Sequence, residues 1–196
     1  KGQFIAPFAM FGYLKDPEDK HHLIIDEFAA GVVQDMFHLI LEGYSSEAIA
    51  DRLNEQGIPS PLEYKRLLGS TYKTPFRRNP KAVWTATAVL RILKNPVYIG
   101  TLEQGKRSSP NYKVKKQFAV PEEQWAVKEN THEPAVSRDT FENVAKILRT
   151  DTRTAPGEET VFPLGGLLYC ADCGRSMVRK NNSTADKPYY YYICSG

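Results

Sequence analysis

The stretch Trp84-Thr85-Ala86-Thr87-Ala88-Val89-Leu90-Arg91-Ile92-Leu93-Lys94-Asn95-Pro96 decides how this chain is read. Thr85 is placed to cap a helix. Val89, Ile92 and Leu93 then fall on one face, and Thr87, Arg91 and Lys94, at i, i+4 and i+7, share the opposite face. Asn95-Pro96 stops the helix. Such a helix seats its apolar side on a core and offers Thr85, Thr87, Arg91 and Lys94 outward.

The surroundings of this helix are basic. The 196 residues carry 26 Lys/Arg and 23 Asp/Glu, a bland net charge of +3. Residues 61–118, however, hold 13 Lys/Arg against only Glu63 and Glu103. Residues 62–83 read as irregular and basic, with Arg77, Arg78 and Lys81 leading into the helix. Past it, a basic loop carries Lys106, Arg107, Lys113, Lys115 and Lys116, placed like a wing. Charge gathered this way attracts a polyanion. Arg and Lys on a helix that fits the major groove read guanine edges, while flanking charges meet phosphates. The competing reading is a solvated basic face with no partner.

Upstream, Phe4 to Tyr13 reads as an extended or turn segment that docks on the core, and Leu23-Ile24-Ile25 as a short strand. A helix begins near Asp26, with Phe28, Val32, Met36 and Leu39 at helical spacing, and Gly43 stops it. Ser45 or Ser46 caps a second helix whose core stripe is Ile49 and Leu53. Gly57 to Pro61 ends it. Two helices joined by a short Gly-containing turn form half of a helix-turn-helix unit. Downstream, Val97 to Leu102 reads as a strand with Gln117 to Val120 as its partner. Ser137 caps a further helix lined by Phe141, Val144, Ala145 and Leu148.

Residues 151–160 are polar and aperiodic and read as a linker. Beyond it, Cys170-Ala171-Asp172-Cys173-Gly174 forms a metal knuckle, and Cys194 follows Cys173 after 20 intervening residues. Arg175 to Lys180 and Tyr189 to Cys194 are the two strands that bring the third sulfur back. The expectation is a structural zinc ion on Cys170, Cys173 and Cys194. Its fourth ligand would lie beyond Gly196, come from another chain, or be water; the plainer alternative is three inert thiols. The fold class is α+β: a mostly helical, helix-turn-helix-like domain over 1–150 with a small β-hairpin, the linker, and a small zinc β-ribbon over 161–196.

Several function classes are excluded. No apolar run is long enough to span a bilayer and no signal peptide opens the chain, so a soluble, cytoplasmic protein is expected. No phosphate-binding glycine loop occurs. His21, His22, His38 and His132 form no triad or metal pattern, and no catalytic residue is assigned. A zinc-dependent hydrolase would lack a base near the knuckle.

These segments, in this order, resemble the large serine recombinases. The resemblance is carried by Phe11-Gly12-Tyr13, by Ile49 to Pro59, and above all by Trp84-Thr85 through Ile92-Leu93-Lys94-Asn95-Pro96-Val97-Tyr98-Ile99-Gly100. His132-Glu133-Pro134 and Leu164-Gly165-Gly166-Leu167 with the cysteine knuckle extend it over nearly the whole chain. The resemblance implies a recombinase domain and a zinc ribbon that bind the inner and outer parts of an attachment half-site in double-stranded DNA. It also implies a homodimer, a synaptic tetramer, and a catalytic serine in a domain outside these residues. On this reading the chain is a piece of an enzyme for DNA integration or excision. The alternative is a zinc-ribbon helix-turn-helix transcriptional regulator.

Overall fold

A computed structural model describes residues 2–70, 81–109, 117–149, 164–182, 187 and 189–196. The chain divides into two compact units, Lys1–Ala145 and Lys146–Gly196. The expected linker over 151–160 lies outside the described residues.

The larger unit is built on α1 (Glu27–Leu41). Asp26 caps it, accepting from the Ala29 N–H at 3.2 Å. Its buried side chains include Val33, Met36 and Phe37, which are fully enclosed, so the helix is covered on more than one side. Phe28 departs from the expected stripe: it is half exposed, and its ring lies beside Tyr64 with centroids 5.4 Å apart. A tight turn at Gly43, with φ +96°, leads to Ser45. Ser45 caps α2 (Ser46–Glu55), which buries Ile49, Ala50 and Leu53. Ahead of α1, β1 (Tyr13–Lys15) and β2 (Leu23–Ile25) form an antiparallel hairpin. As expected, the N-terminal segment docks inward, with Phe4, Phe11 and Tyr13 buried.

Residues 62–83 are not irregular throughout. Pro61–Leu67 form α3, with Pro61 in the first turn. No α3 residue is buried, so it carries no apolar period for a sequence reading to find. It is held by tertiary contacts instead. The Tyr64 hydroxyl donates to Asp26 Oδ2 at 2.8 Å. Burial and that carboxylate push the Tyr64 hydroxyl up to about 12. The basic residues here are engaged: Arg66 pairs with Glu63 at 2.6 Å, and the Lys65 ammonium lies over the Phe8 ring.

The expected strand over Val97 to Leu102 is also corrected. Pro96–Ile99 form a turn of 3-10 helix, capped by Asn95 Oδ1 accepting from the Val97 N–H at 3.2 Å. Gly100 ends that turn at φ +78°, and a Cβ there would stand 2.8 Å from the His132 carbonyl oxygen. Only then does β3 (Leu102–Gln104) begin. Pairing differs too. β4 (Arg107–Ser108) pairs with β5 (Phe118–Ala119), whereas β3 pairs with β6 (Ala126–Lys128). In α5 (Arg138–Arg149), Val144 is fully enclosed and Phe141 meets Phe37, their ring centroids 5.9 Å apart. Ser137 Oγ accepts from the Thr140 N–H, as a capping serine does.

Two tyrosines and a histidine tie the N-terminal hairpin to the segment before α5. The Tyr98 hydroxyl donates to the Phe11 carbonyl at 2.8 Å. The Tyr13 hydroxyl accepts from the Ala135 N–H at 3.0 Å and donates to the Glu133 carbonyl at 3.1 Å. Buried His132 places Nε2 2.7 Å from the Val97 carbonyl. A carbonyl only accepts, so Nε2 carries the proton. Burial holds the His132 pKa below its ordinary value, more strongly than the Val97 bond raises it. The folded state therefore binds fewer protons here than the unfolded chain, and stability falls as pH drops below the unfolded value of about 6.5. The wild-type Tm will drop further between pH 7.5 and pH 5.5 than that of His132→Gln, as calorimetry at the two pH values would show. Equal drops would mean that His132 does not contribute.

Candidate nucleic-acid interface and metal centre

The helix α4 (Ala86–Leu93) forms as its sequence dictates. Thr85 Oγ1 accepts from the Ala88 N–H at 3.2 Å. Val89, Ile92 and Leu93 are buried, and α4 packs against α2 and α1. Trp84, just ahead of the cap, anchors this packing. Its Nε1 donates to the Ile58 carbonyl at 3.0 Å. The Asn54 side-chain amide clamps the Trp84 backbone, accepting from its N–H at 2.9 Å and donating to its carbonyl at 3.1 Å.

With its apolar face committed, α4 turns the other outward. Thr85, Thr87, Arg91 and Lys94 are all exposed. Among the described residues, no carboxylate pairs with Arg91 or Lys94. Thr87, Arg91, Lys94 and Asn95 line an open groove of about 640 Å³ together with Glu103 and Lys106. Lys106 is tethered: its ammonium lies 2.6 Å from Glu103 Oε2 and 4.6 Å from the centre of the Trp125 ring. Trp125 is itself fixed, its Nε1 donating to the Val120 carbonyl at 2.8 Å.

Of the other sequence-derived residues, Arg107 is exposed on β4 opposite Ala119, and Lys81 is exposed ahead of Trp84. Arg77, Arg78, Lys113, Lys115 and Lys116 lie outside the described residues. The sequence reading missed Glu103 and Trp125 as parts of this surface. Glu103 was visible as one of two acids in the basic block, but nothing in local spacing couples Trp125 to Lys106.

In the smaller unit, β7 (Met177–Asn181) pairs with β8 (Tyr190–Cys194), matching the two strands expected around the knuckle. The Gly174 N–H donates to the Cys170 carbonyl at 2.9 Å, and the Cys170 N–H to the Arg175 carbonyl at 2.8 Å, folding the knuckle tightly. The β7–β8 register sets Cys194 opposite Met177 and carries it back to that knuckle. All three sulfurs lie within 4.8 Å of one another, with Cys173 and Cys194 3.3 Å apart. Tetrahedral zinc with thiolates at 2.3 Å needs sulfurs about 3.8 Å apart. The cluster therefore fits a structural zinc ion, with Cys170, Cys173 and Cys194 as ligands. The backbone N–H groups of Cys173 and Asp172 lower the Cys170 thiol to about 7, which favours the metal-binding thiolate. Asp172 Oδ2 lies 4.0 Å from Cys170 Sγ but outside the three-sulfur cluster.

Residues 27–151 match the family described as Recombinase, and residues 163–196 the recombinase zinc beta ribbon domain. The chain belongs to the recombinase family. It is 32% identical over 139 residues to the uncharacterized protein YefB of Bacillus subtilis (strain 168), spanning 71% of this chain and 41% of that protein. The chain thus spans less than half the length of this relative. Among solved structures, one similar chain comes from "Crystal Structure of a LSR-DNA Complex". There the TM-score is 0.45 at 22% identity, with 97% of this chain and 48% of that chain covered. Another comes from "Sequence Requirements of the Listeria innocua prophage attP site". Its TM-score is 0.48 at 23% identity, with 96% and 65% covered. Among the described residues, no helix is long and apolar enough to cross a membrane.

Proposed function

We propose that this chain is the DNA-recognition part of a site-specific serine recombinase and binds attachment half-sites in double-stranded DNA. The observation that carries the proposal is the outward face of α4, where Thr87, Arg91 and Lys94 border one open groove with Lys106. An α-helix fits the major groove, where an unpaired Arg or Lys bonds guanine O6 and N7. Thr85 and Thr87 add hydroxyls that either donate or accept. Lys81, Arg107 and the cations at 77, 78, 113, 115 and 116 serve as phosphate contacts, which position the protein without reading sequence. The zinc ribbon binds the outer part of the half-site. Cutting and rejoining of strands belongs to a serine-bearing domain outside these residues, acting in cytoplasmic homodimers that pair into a synaptic tetramer. Membership of the recombinase family favours this reading over a transcriptional regulator.

The test is duplex binding followed by fluorescence anisotropy. A site selected from a random 30-bp duplex pool is compared with an unselected duplex. With about six phosphates met, log affinity against log salt falls with a slope near −5. Arg91→Ala weakens binding to the selected site roughly 10- to 100-fold, the worth of a good bidentate base contact. On the unselected duplex it costs only a few-fold, as one lost phosphate contact does. Equal losses on both would make Arg91 a phosphate contact, and no duplex binding at low salt would overturn the proposal.

A further inference from the structure

We infer that Glu103 is a specificity-determining residue of this surface, holding Lys106 back from phosphates and penalising binding to DNA of the wrong sequence. The inference rests on the duplex-binding reading above. Residues 61–118 contain only two carboxylates. Glu63 is occupied by Arg66 and by the Ala82 N–H. Glu103, on β3, instead lines the same groove as Thr87, Arg91 and Lys94.

A carboxylate in such a place acts in two ways. First, it neutralises and fixes Lys106, whose ammonium is caught between Glu103 Oε2 and the Trp125 ring. A lysine so held is a weaker phosphate ligand, because Glu103 offsets its charge and a phosphate must compete with the carboxylate and the ring for the ammonium. Second, Glu103 repels any phosphate that enters the groove. On unselected DNA, loosely seated and held by phosphates, both effects weaken binding. In a seated complex the acceptor-only carboxylate faces base edges instead. There it accepts from an amino donor, cytosine N4 being the usual partner of Glu. The acid thus lowers affinity for wrong sequences more than for the right one, which widens the difference between them.

The test is Glu103→Gln in the intact chain, with an unselected 30-bp duplex as probe across a salt series. Glutamine keeps the size of the side chain and removes the charge. Binding to the unselected duplex will tighten roughly fourfold, the Coulomb effect of one unit charge a few ångströms away in water. The slope of log affinity against log salt will steepen by about 0.9, because freed Lys106 adds one phosphate contact. Selection from a random duplex pool will lose preference at a cytosine position. The double variant Glu103→Gln/Lys106→Met will return the slope to the parental value. A purely structural role for Glu103 would lower Tm and leave the slope alone. Unchanged or weaker binding by Glu103→Gln, with the parent binding normally, overturns this inference and leaves the duplex-binding reading intact. A parent that binds no duplex overturns both.

Discussion

Replacing Cys173 with serine, or stripping metal with a strong chelator, will unfold the smaller unit and leave the larger one folded. The reason lies in burial. Every hydrophobic side chain that is buried among the described residues belongs to the larger unit. In the smaller one Leu167, Tyr169 and Tyr189 are mostly exposed, and Ile193 and Met177 are not fully buried. A two-stranded hairpin with so little core is marginal in water. What remains is the ion: binding of structural zinc contributes about 10–16 kcal/mol in small zinc modules, and that energy is the folding energy. Serine supplies a far poorer ligand than thiolate, so bound zinc falls from one per chain toward zero. Amide-exchange protection across β7 and β8 will vanish, while that of α1, α2 and α4 persists. Added Zn²⁺ will restore the ribbon after chelation but not in Cys173→Ser. A ribbon that stays protected without metal would show that β7–β8 pairing and the tyrosine contacts suffice by themselves.

How much of this was legible in the sequence follows from where each determinant lies. The starts of α1, α2 and α4 rest on caps adjacent in sequence, at Asp26, Ser45 and Thr85, and at each a side chain accepts from the free N–H three residues on. The cysteine cluster was legible because a C-x-x-C knuckle and a returning strand are themselves local patterns. What escaped depends on distant partners. The helix α3 is held by Tyr64 on Asp26 and by Ser60 Oγ donating to the Ala82 carbonyl, neither of which leaves a periodic trace. Val97 to Leu102 has the composition of a strand. Pro96, the Asn95 cap and the closeness of Gly100 to His132 turn its first half into a 3-10 helix. The cations of α4 were placed by helical spacing alone. The tether on Lys106 could not be, since it needs β3 and the loop before β6 to come together.

Trp84→Ala will cost about 3–5 kcal/mol, the cost of deleting a large aromatic side chain from a core. The ring is almost fully buried and meets Phe11 edge-on at 5.4 Å. Its removal also leaves the Ile58 carbonyl without its indole donor. Against a total stability of about 5–15 kcal/mol, this is a large fraction, and Tm should fall by roughly 10–20 °C. The consequence for function runs through α4. The Trp84 indole, directly ahead of the Thr85 cap, ties the start of the helix to the loop after α2 through the Ile58 carbonyl and to Phe11. Loosening that tie lets the outward face of α4 shift against β3 and the rest of the groove. Trp84→Ala will therefore lose binding to a selected duplex even well below its own Tm, while binding to unselected DNA, which needs charge but not registry, declines less. Trp84→Phe, which fills most of the space but cannot donate to Ile58, will fall between the two. If Trp84→Ala kept full discrimination between the duplexes while folded, α4 would be held by its own packing face of Val89, Ile92 and Leu93. The indole would then contribute stability alone.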